Sequence, residues 1–280
     1  MKARRIKGTV ALVTGASRGI DLASSEAPLA RSAALLGIMV ALVVAALAGG
    51  CSSSEDEPLL PHQVVAGSGD VSGSVAQFRA LLGDPLNGVT PGSQPAGRRE
   101  INWDAVPATF TDNDALPGDF FNTRSPRGAV FTGPAFRVSD RNLAEVEPSY
   151  AGQFTFFSPQ KTFAVMGSPV MDTEFQVPGA TTPAAVRGFG VVFVDVDRQG
   201  SASLEFFGPS GSLGRFEAPA QSAGSPLSFL GVVFQDTVVT RVRIVSGRAP
   251  LGAGVKDLSD GGPQDLVVMD DFLYSEPVAR

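Results

Sequence analysis

The chain has 280 residues, 43% of them hydrophobic, with 32 Gly, 21 Pro and 19 Phe, a length and composition that suit one domain of short strands joined by turns. Of its 28 acidic and 22 basic residues, two and six lie in the first 50, so the remainder carries a net charge of about −10. Nucleic acid is not expected as a partner, because phosphate binding requires clustered Lys and Arg.

Residues 8–20 read GTVALVTGASRGI and resemble the first strand and glycine-rich turn of short-chain dehydrogenases. In that family the glycines let the backbone approach a pyrophosphate at a helix N-terminus. Here Asp21 replaces the last glycine of the pattern, which adds a negative charge near the phosphate position. The family's Tyr-x-x-x-Lys pair is also missing, because neither tyrosine of the chain has a lysine at that spacing. We interpret the segment as a spurious N-terminal extension.

An uncharged apolar run over residues 32–48 follows Arg31 and ends in two glycines before Cys51, the only cysteine. This order of charge, apolar run and small residues is that of an export signal, and with the cysteine it resembles a bacterial lipoprotein signal. The alternative is a transmembrane anchor, but the 17 residues of the run are short for a span of about 20. We therefore expect residues 1–50 to be removed as a lipoprotein signal peptide, with its extension, and Cys51 to be acylated. The protein would then be anchored in the cell membrane or outer membrane on the extracytoplasmic side.

Residues 51–73 are predicted to form a flexible tether because they begin with a polar, acidic run and are rich in Gly and Ser. Residues 74–100 are predicted to hold one short helix and a linker. The helix is indicated by apolar side chains at helical spacing, and Gly83 is suited to end it. These apolar residues are Val75, Phe78, Leu81 and Leu82.

Residues 101–280 are predicted to form an all-β domain, a jelly-roll-like β-sandwich of about ten strands, because short strand-like runs follow one another with turns and no long helix between them. The runs around 189–196 and 229–234 are almost continuously apolar, which indicates strands covered on both faces. The predicted strands are 129–132, 136–138, 153–157, 162–166, 172–177, 185–195, 203–207, 212–217, 227–234, 239–245 and 266–274.

Seven segments of this region carry a family resemblance: 97–107, 116–122, 125–128, 188–197, 203–207, 228–232 and 269–274. Together they resemble a group of uncharacterised secreted bacterial lipoproteins. The resemblance covers about residues 75–280 and implies a fold similar to galactose-binding-like and lectin-like jelly rolls. It implies no particular activity.

Most nucleophilic catalysis is not expected of this chain. A hydrolase triad needs a base, most often His, beside its nucleophile, and the only histidine, His62, lies in the predicted tether. A zinc site of His and Cys ligands fails for the same reason. We assign no catalytic residue and expect no enzymatic activity, with a carboxylate glycosidase as the less favoured alternative. Its candidate acids are Asp195, Asp197, Glu205, Asp270 and Asp271.

Calcium is the one cofactor that the sequence suggests. Asp195, Asp197 and Gln199, with Gly200 after them, resemble the first half of a calcium-binding loop, although Phe206 stands where its closing Glu would be. Asp270 and Asp271 on the last strand are further candidate ligands and are expected to point to opposite faces. The alternative is that all these acids cap turns and solvate strand ends.

Trp103 is the only tryptophan and is a candidate platform for stacking on a sugar ring, although packing beside the core is the alternative. The favoured hypothesis is a lipid-anchored extracytoplasmic binding module, carbohydrate-binding and calcium-stabilised. Its partners would be the membrane, through Cys51, and a glycan or an envelope protein. The main alternative is a structural or interaction protein of the envelope that binds no small ligand.

Overall fold

The computed structural model describes residues 60–222 and 224–280. Cys51, the predicted signal peptide and the dehydrogenase-like segment lie outside these residues, so the expectations about them stay predictions. Within the described part of the chain, no helix has both the length and the apolar character needed to cross a membrane.

Two antiparallel sheets pack face to face, which confirms the predicted β-sandwich. The strand order is β1-β11-β8-β13-β5-β4 in the larger sheet, where β2 also pairs with β13, and β10-β9-β12-β6-β3 in the smaller. The strands are β1 (His62–Ser68), β2 (Arg98–Ile101), β3 (Ala129–Thr132), β4 (Ala135–Ser139), β5 (Thr162–Met166), β6 (Val170–Phe175), β7 (Ala184–Ala185), β8 (Gly188–Val194), β9 (Ala202–Gly208), β10 (Gly211–Glu217), β11 (Leu227–Phe234), β12 (Arg241–Ser246), β13 (Val268–Ser275) and β14 (Val278–Ala279). The helices are α1 (Ser72–Leu82) and α2 (Phe120–Thr123), with 3-10 turns at Ala108–Phe110 and Pro148–Gly152.

The core between the two sheets is built largely from phenylalanine, which accounts for the composition. Phe163, Phe189, Phe206 and Phe272 are all fully buried there. Trp103 lies among them and stacks on Phe163, with ring centroids 3.9 Å apart. Each such side chain contributes roughly 1.5–3 kcal/mol by leaving water.

The larger sheet is also covered on its outer face. Helix α1 packs over one half through Phe78, and the connections before β5 and before β13 cover the other half through Tyr150 and Leu266. All seven residues of β8 are buried as a result. This confirms the interpretation of the apolar runs as strands covered on both faces.

Some predicted boundaries are wrong. Residues 62–68 were expected in the tether but form β1, because all seven of them pair with β11 at the sheet edge. Residues 153–157 form no strand and instead follow the 3-10 turn Pro148–Gly152. The predicted strand 185–195 divides into β7 and β8. Strands β2 and β14 were not predicted, since each is too short to show an alternating pattern.

Candidate metal centre

Three aspartates converge at one end of β8. One carboxylate oxygen each from Asp195, Asp197 and Asp257 lies within 4.8 Å of the other two. Asp195 follows β8 directly and has a left-handed backbone with φ of 70°. Val196 points into the core, so Asp195 and Asp197 project from the opposite side of the chain. Asp257 arrives from the connection between β12 and β13, and we call these three residues the acidic triad.

Amide groups fix the triad in place. Gln153 Nε2 donates to Asp195 Oδ2 at 2.7 Å, and Gln221 Nε2 donates to Asp195 Oδ1 at 2.9 Å and also to Asp197. The Asp257 carboxylate accepts the backbone N–H of Leu266 at 2.7 Å. Backbone and side-chain amides therefore set the positions of all three carboxylates.

The loop that carries Asp197 is itself held by another acid. The carboxylate of Asp265 accepts the backbone N–H of Arg198 at 2.7 Å and that of Asp197 at 3.3 Å. A fourth carboxylate thus lies beside the triad without being one of its members.

The triad concentrates negative charge that no basic side chain neutralises. Asp195 and Asp257 are 3% and 0% exposed, and in residues 60–222 and 224–280 no Lys, Arg or His nitrogen lies within 4.0 Å of a triad carboxylate. Burial raises the pKa of Asp195 to about 7, and the charges of Asp257 and Asp197 add to this. Burial and a hydrogen bond to Asp257 likewise raise the pKa of Asp197. The triad could hold a metal ion, which would remove this repulsion.

The sequence located two of the three triad members. Asp195 and Asp197 were predicted together, but Gln199 does not join them, because its Nε2 donates to Glu217 at 3.0 Å on the surface. Asp257 was missed because it is 60 residues from Asp197 in the chain. The surrounding sequence is Lys256-Asp-Leu-Ser-Asp-Gly261. Its Asp, Ser and Gly residues predict an ordinary turn, but they do not indicate that Asp257 lies beside Asp195 and Asp197.

Asp270 and Asp271 form a separate acidic pair, and the expectation that they face opposite ways is wrong. The register of β13 against β8 shifts between Met269 and Phe272, and both of these residues point into the core. A bulge therefore puts the two aspartates together on the outer face. Asp270 accepts the backbone N–H of Phe157 at 2.7 Å and the hydroxyl of Ser158 at 2.8 Å.

The acidic pair is buried and strongly perturbed. Burial, followed by the charge of Asp271, raises the pKa of Asp270 to about 8, and burial raises that of Asp271 to about 6. Asp271 Oδ2 lies 3.8 Å from Arg79 Nη2, and its buried Oδ1 has no hydrogen-bond partner in the described part of the chain. The pair anchors the loop at 157–158 to β13 and is not part of the triad.

Trp103 is 1% exposed, and its Nε1 donates to the backbone carbonyl of Asp270 at 2.8 Å. Its ring packs against Phe163 in the core, and almost none of it is exposed for stacking on a sugar. The proposed glycosidase acids are also dispersed. Glu205 lies on β9 in the smaller sheet, in register with Arg215 and Arg243.

An open polar cleft of about 420 Å³ borders the triad. Asp195 belongs to both, since it lines the cleft while its carboxylate joins Asp197 and Asp257. The other polar side chains of the wall are Gln153, Gln221, Ser222, Ser225 and Ser259.

The chain matches no protein-family model, no curated protein and no solved structure. The resemblance to secreted lipoproteins therefore stays a prediction, and the fold itself is a mainly β sandwich of two antiparallel sheets.

Proposed function

We propose that the domain is a binding module that holds Ca²⁺ at the acidic triad and a carbohydrate-like ligand in the adjoining cleft. We further propose that a lipid on Cys51 anchors it on the extracytoplasmic side of a bacterial membrane. The observation that carries the proposal is the convergence of three carboxylates within 4.8 Å. The buried oxygens of the triad attract a hard cation, because the cation removes a repulsion that otherwise favours protonation.

Calcium fits this set of donors better than zinc or magnesium. Among the residues that the structure describes, the site offers carboxylate and amide oxygens and no sulfur or imidazole. Ca²⁺ accepts six to eight oxygens in flexible geometry, whereas Mg²⁺ demands a near-ideal octahedron. Gln153 Oε1 is buried and has no hydrogen-bond partner among the described residues. A half-turn of that amide exchanges Nε2 for this oxygen next to Asp195, which would supply a further ligand.

The cleft suits a ligand with many hydroxyl groups. Its wall offers hydroxyl and amide groups that can both donate and accept hydrogen bonds. A calcium ion held by Asp195 would border the same space and could take ligand hydroxyls into its open coordination positions. Binding of a glycan should therefore depend on calcium.

The test of the metal site is thermal unfolding of the purified protein with calcium and with a chelator. At a concentration 100-fold above Kd, a ligand of the native state adds about 2.7 kcal/mol, which corresponds to a rise in Tm of roughly 5–10 °C for a domain of this size. Asp257→Asn should abolish the rise. Asp260→Asn is the matched control, since Asp260 lies on the same connection but is exposed and pairs with Lys256. Equal midpoints with calcium and chelator would refute the calcium site.

The ligand is tested separately by probing a glycan array with the calcium-loaded and the chelated protein. Binding that requires calcium and is lost in Gln221→Ala would support the cleft. An array without binding, together with an intact calcium response, would favour an envelope protein that binds no small ligand.

The anchor has its own test, which does not depend on the metal. Cys51→Ser should abolish labelling by a fatty-acid analogue and release the protein from membranes, whereas Ser53→Ala should leave both unchanged. Persistent labelling of Cys51→Ser would show that the anchor is assigned wrongly.

A further inference from the structure

A second cavity, of about 480 Å³, lies between the chain that follows β2 and helix α2. It has no lining residue in common with the cleft beside the triad. Four of its eleven lining residues are aromatic, and two are arginines, Arg124 and Arg127. The aromatic members are Trp103, Phe110, Phe120 and Phe121.

Arg127 is exceptional among the arginines of the described residues. Each of the others is either exposed or makes an ion pair within 4.0 Å, whereas Arg127 is partly buried and has no carboxylate partner. Its Nε donates to the backbone carbonyl of Glu100 at 2.9 Å and its Nη1 to the hydroxyl of Ser125. A guanidinium that leaves water without a counter-ion costs free energy, so an anion that paired with Arg127 would be stabilised there.

Arg124 adds a second positive charge at the mouth of the same cavity. Its side chain is exposed, and its guanidinium carbon lies 5.2 Å from the centroid of the Phe110 ring. That of Arg127 lies 5.7 Å from the centroid of Phe121. Both guanidinium groups therefore lie over aromatic rings and pair with no acidic side chain of residues 60–222 and 224–280, in a chain whose net charge is −6.

We propose that this cavity binds a small organic carboxylate with an apolar body. The carboxylate would pair with Arg127 and Arg124, for which a planar guanidinium is the best-matched partner. The body would displace water from the phenylalanine walls. A cavity of this size is within the range that encloses an ordinary small-molecule ligand.

The sole tryptophan provides the readout, because Trp103 lies in the cavity wall. Titration with 4-phenylbutanoate should change Trp103 fluorescence saturably, and the neutral 4-phenylbutanamide should bind at least about tenfold more weakly, since a charged hydrogen bond is lost. Equal binding of the acid and the amide would overturn the proposal. So would the absence of any fluorescence change at millimolar acid.

Substitutions of the two arginines test whether they bind the carboxylate of the ligand. Arg127→Gln should weaken binding of 4-phenylbutanoate at least about tenfold, and Arg124→Gln several-fold. Arg124→Gln keeps the test decisive if Arg127→Gln fails to fold, because Arg124 is exposed and its side chain makes no hydrogen bond among the described residues. Arg187→Gln, an exposed arginine outside the cavity, is the control and should bind as the parent does. Unchanged binding in Arg124→Gln and Arg127→Gln would refute the site.

This site is independent of the calcium proposal. Binding of 4-phenylbutanoate should be the same with calcium and with a chelator, and the same in Asp257→Asn. If the acid binds only with calcium, the cavity assignment is wrong and the cleft beside the triad is the site.

Discussion

At the scale of single residues, Asp270 shows how burial makes stability depend on pH. Its folded pKa of about 8 lies above the ordinary value of 3.8, so the folded protein binds more protons than the unfolded chain between these two values. Stability therefore falls as pH rises from about 4 to 8. The cause is mainly desolvation of the carboxylate and secondly the neighbouring charge of Asp271.

Asp270→Asn should make the protein more stable at pH 8, by roughly 1–3 kcal/mol, and should change stability little at pH 5. The amide has the shape of the protonated acid but cannot ionise. Urea unfolding at several pH values measures the difference, and Asp236→Asn, an exposed acid, should leave the pH dependence as it is. A variant that is less stable than the parent at pH 8 would contradict the assigned pKa.

Arg99 and Glu276 form a buried ion pair that differs from the surface pairs. Arg99 is 0% exposed, donates to both carboxylate oxygens of Glu276 at 2.7 and 2.8 Å, and also donates to three backbone carbonyls. Loss of one partner would leave a buried charge without compensation. The pair thus joins β2 to the end of β13.

Glu276→Gln should cost about 3–5 kcal/mol of unfolding free energy. The matched control is Asp84→Asn, which removes the partner of Arg98 at a site where the Asp84 side chain is 85% exposed and should cost under about 1 kcal/mol. Chemical unfolding of both variants measures the contrast. Similar costs for the two would show that burial does not distinguish these pairs.

At the scale of elements, helix α1 packs on the sheet at a site where two glycines leave room for the ring of Phe78. Gly190 of β8 and Gly231 of β11 are register partners, and a Cβ on either would lie 2.8 or 2.6 Å from the ring of Phe78. The absence of side chains there lets the ring approach the sheet closely. The helix was predicted from the spacing of its apolar residues, but that spacing does not indicate that Phe78 packs against two glycines.

Gly231→Ala should therefore displace Phe78 and cost roughly 1–3 kcal/mol through overpacking. Gly73→Ala is the control within α1 itself: its Cβ would meet no atom within 4 Å, and alanine should stabilise the helix by about 0.5–1 kcal/mol. Denaturant midpoints should move in opposite directions for the two variants. A Gly231→Ala protein as stable as the parent would show that Phe78 can move at little cost.

Sequence patterns predicted elements well where one chain segment contains the whole signal. Strand β11 has the predicted bounds 227–234, and β8 is continuously apolar because both its faces are covered. The bulge at Asp270 and Asp271 was not predicted, because an inserted residue changes the pairing with β8 without changing the composition of β13. Strand β1 was missed since its edge position depends on the distant strand β11.

At the scale of the whole molecule, the candidate sites depend on contacts that no local pattern contains. Asp195 and Asp197 could be found by their spacing, whereas Asp257 joins them only because the connection from β12 to β13 folds back over the end of β8. The cavity with Arg124 and Arg127 likewise needs the tertiary structure, because an arginine without a partner is recognised only when every neighbouring carboxylate is known.

The stabilisation of the protein by calcium at the triad should depend on pH. The pKa of Asp195 is raised to about 7 and that of Asp197 is raised as well, so protons would compete with a bound metal ion at acid pH, and this competition would end as pH rises through about 7. The calcium-induced rise in Tm should therefore be small at pH 5 and largest near pH 8. In Asp195→Asn the remaining response should depend less on pH, because one of the competing protons is gone. Calorimetry at pH 5, 6, 7 and 8 with calcium and with chelator measures this, and a calcium response that is equal at pH 5 and pH 8 would place the metal elsewhere than on these carboxylates.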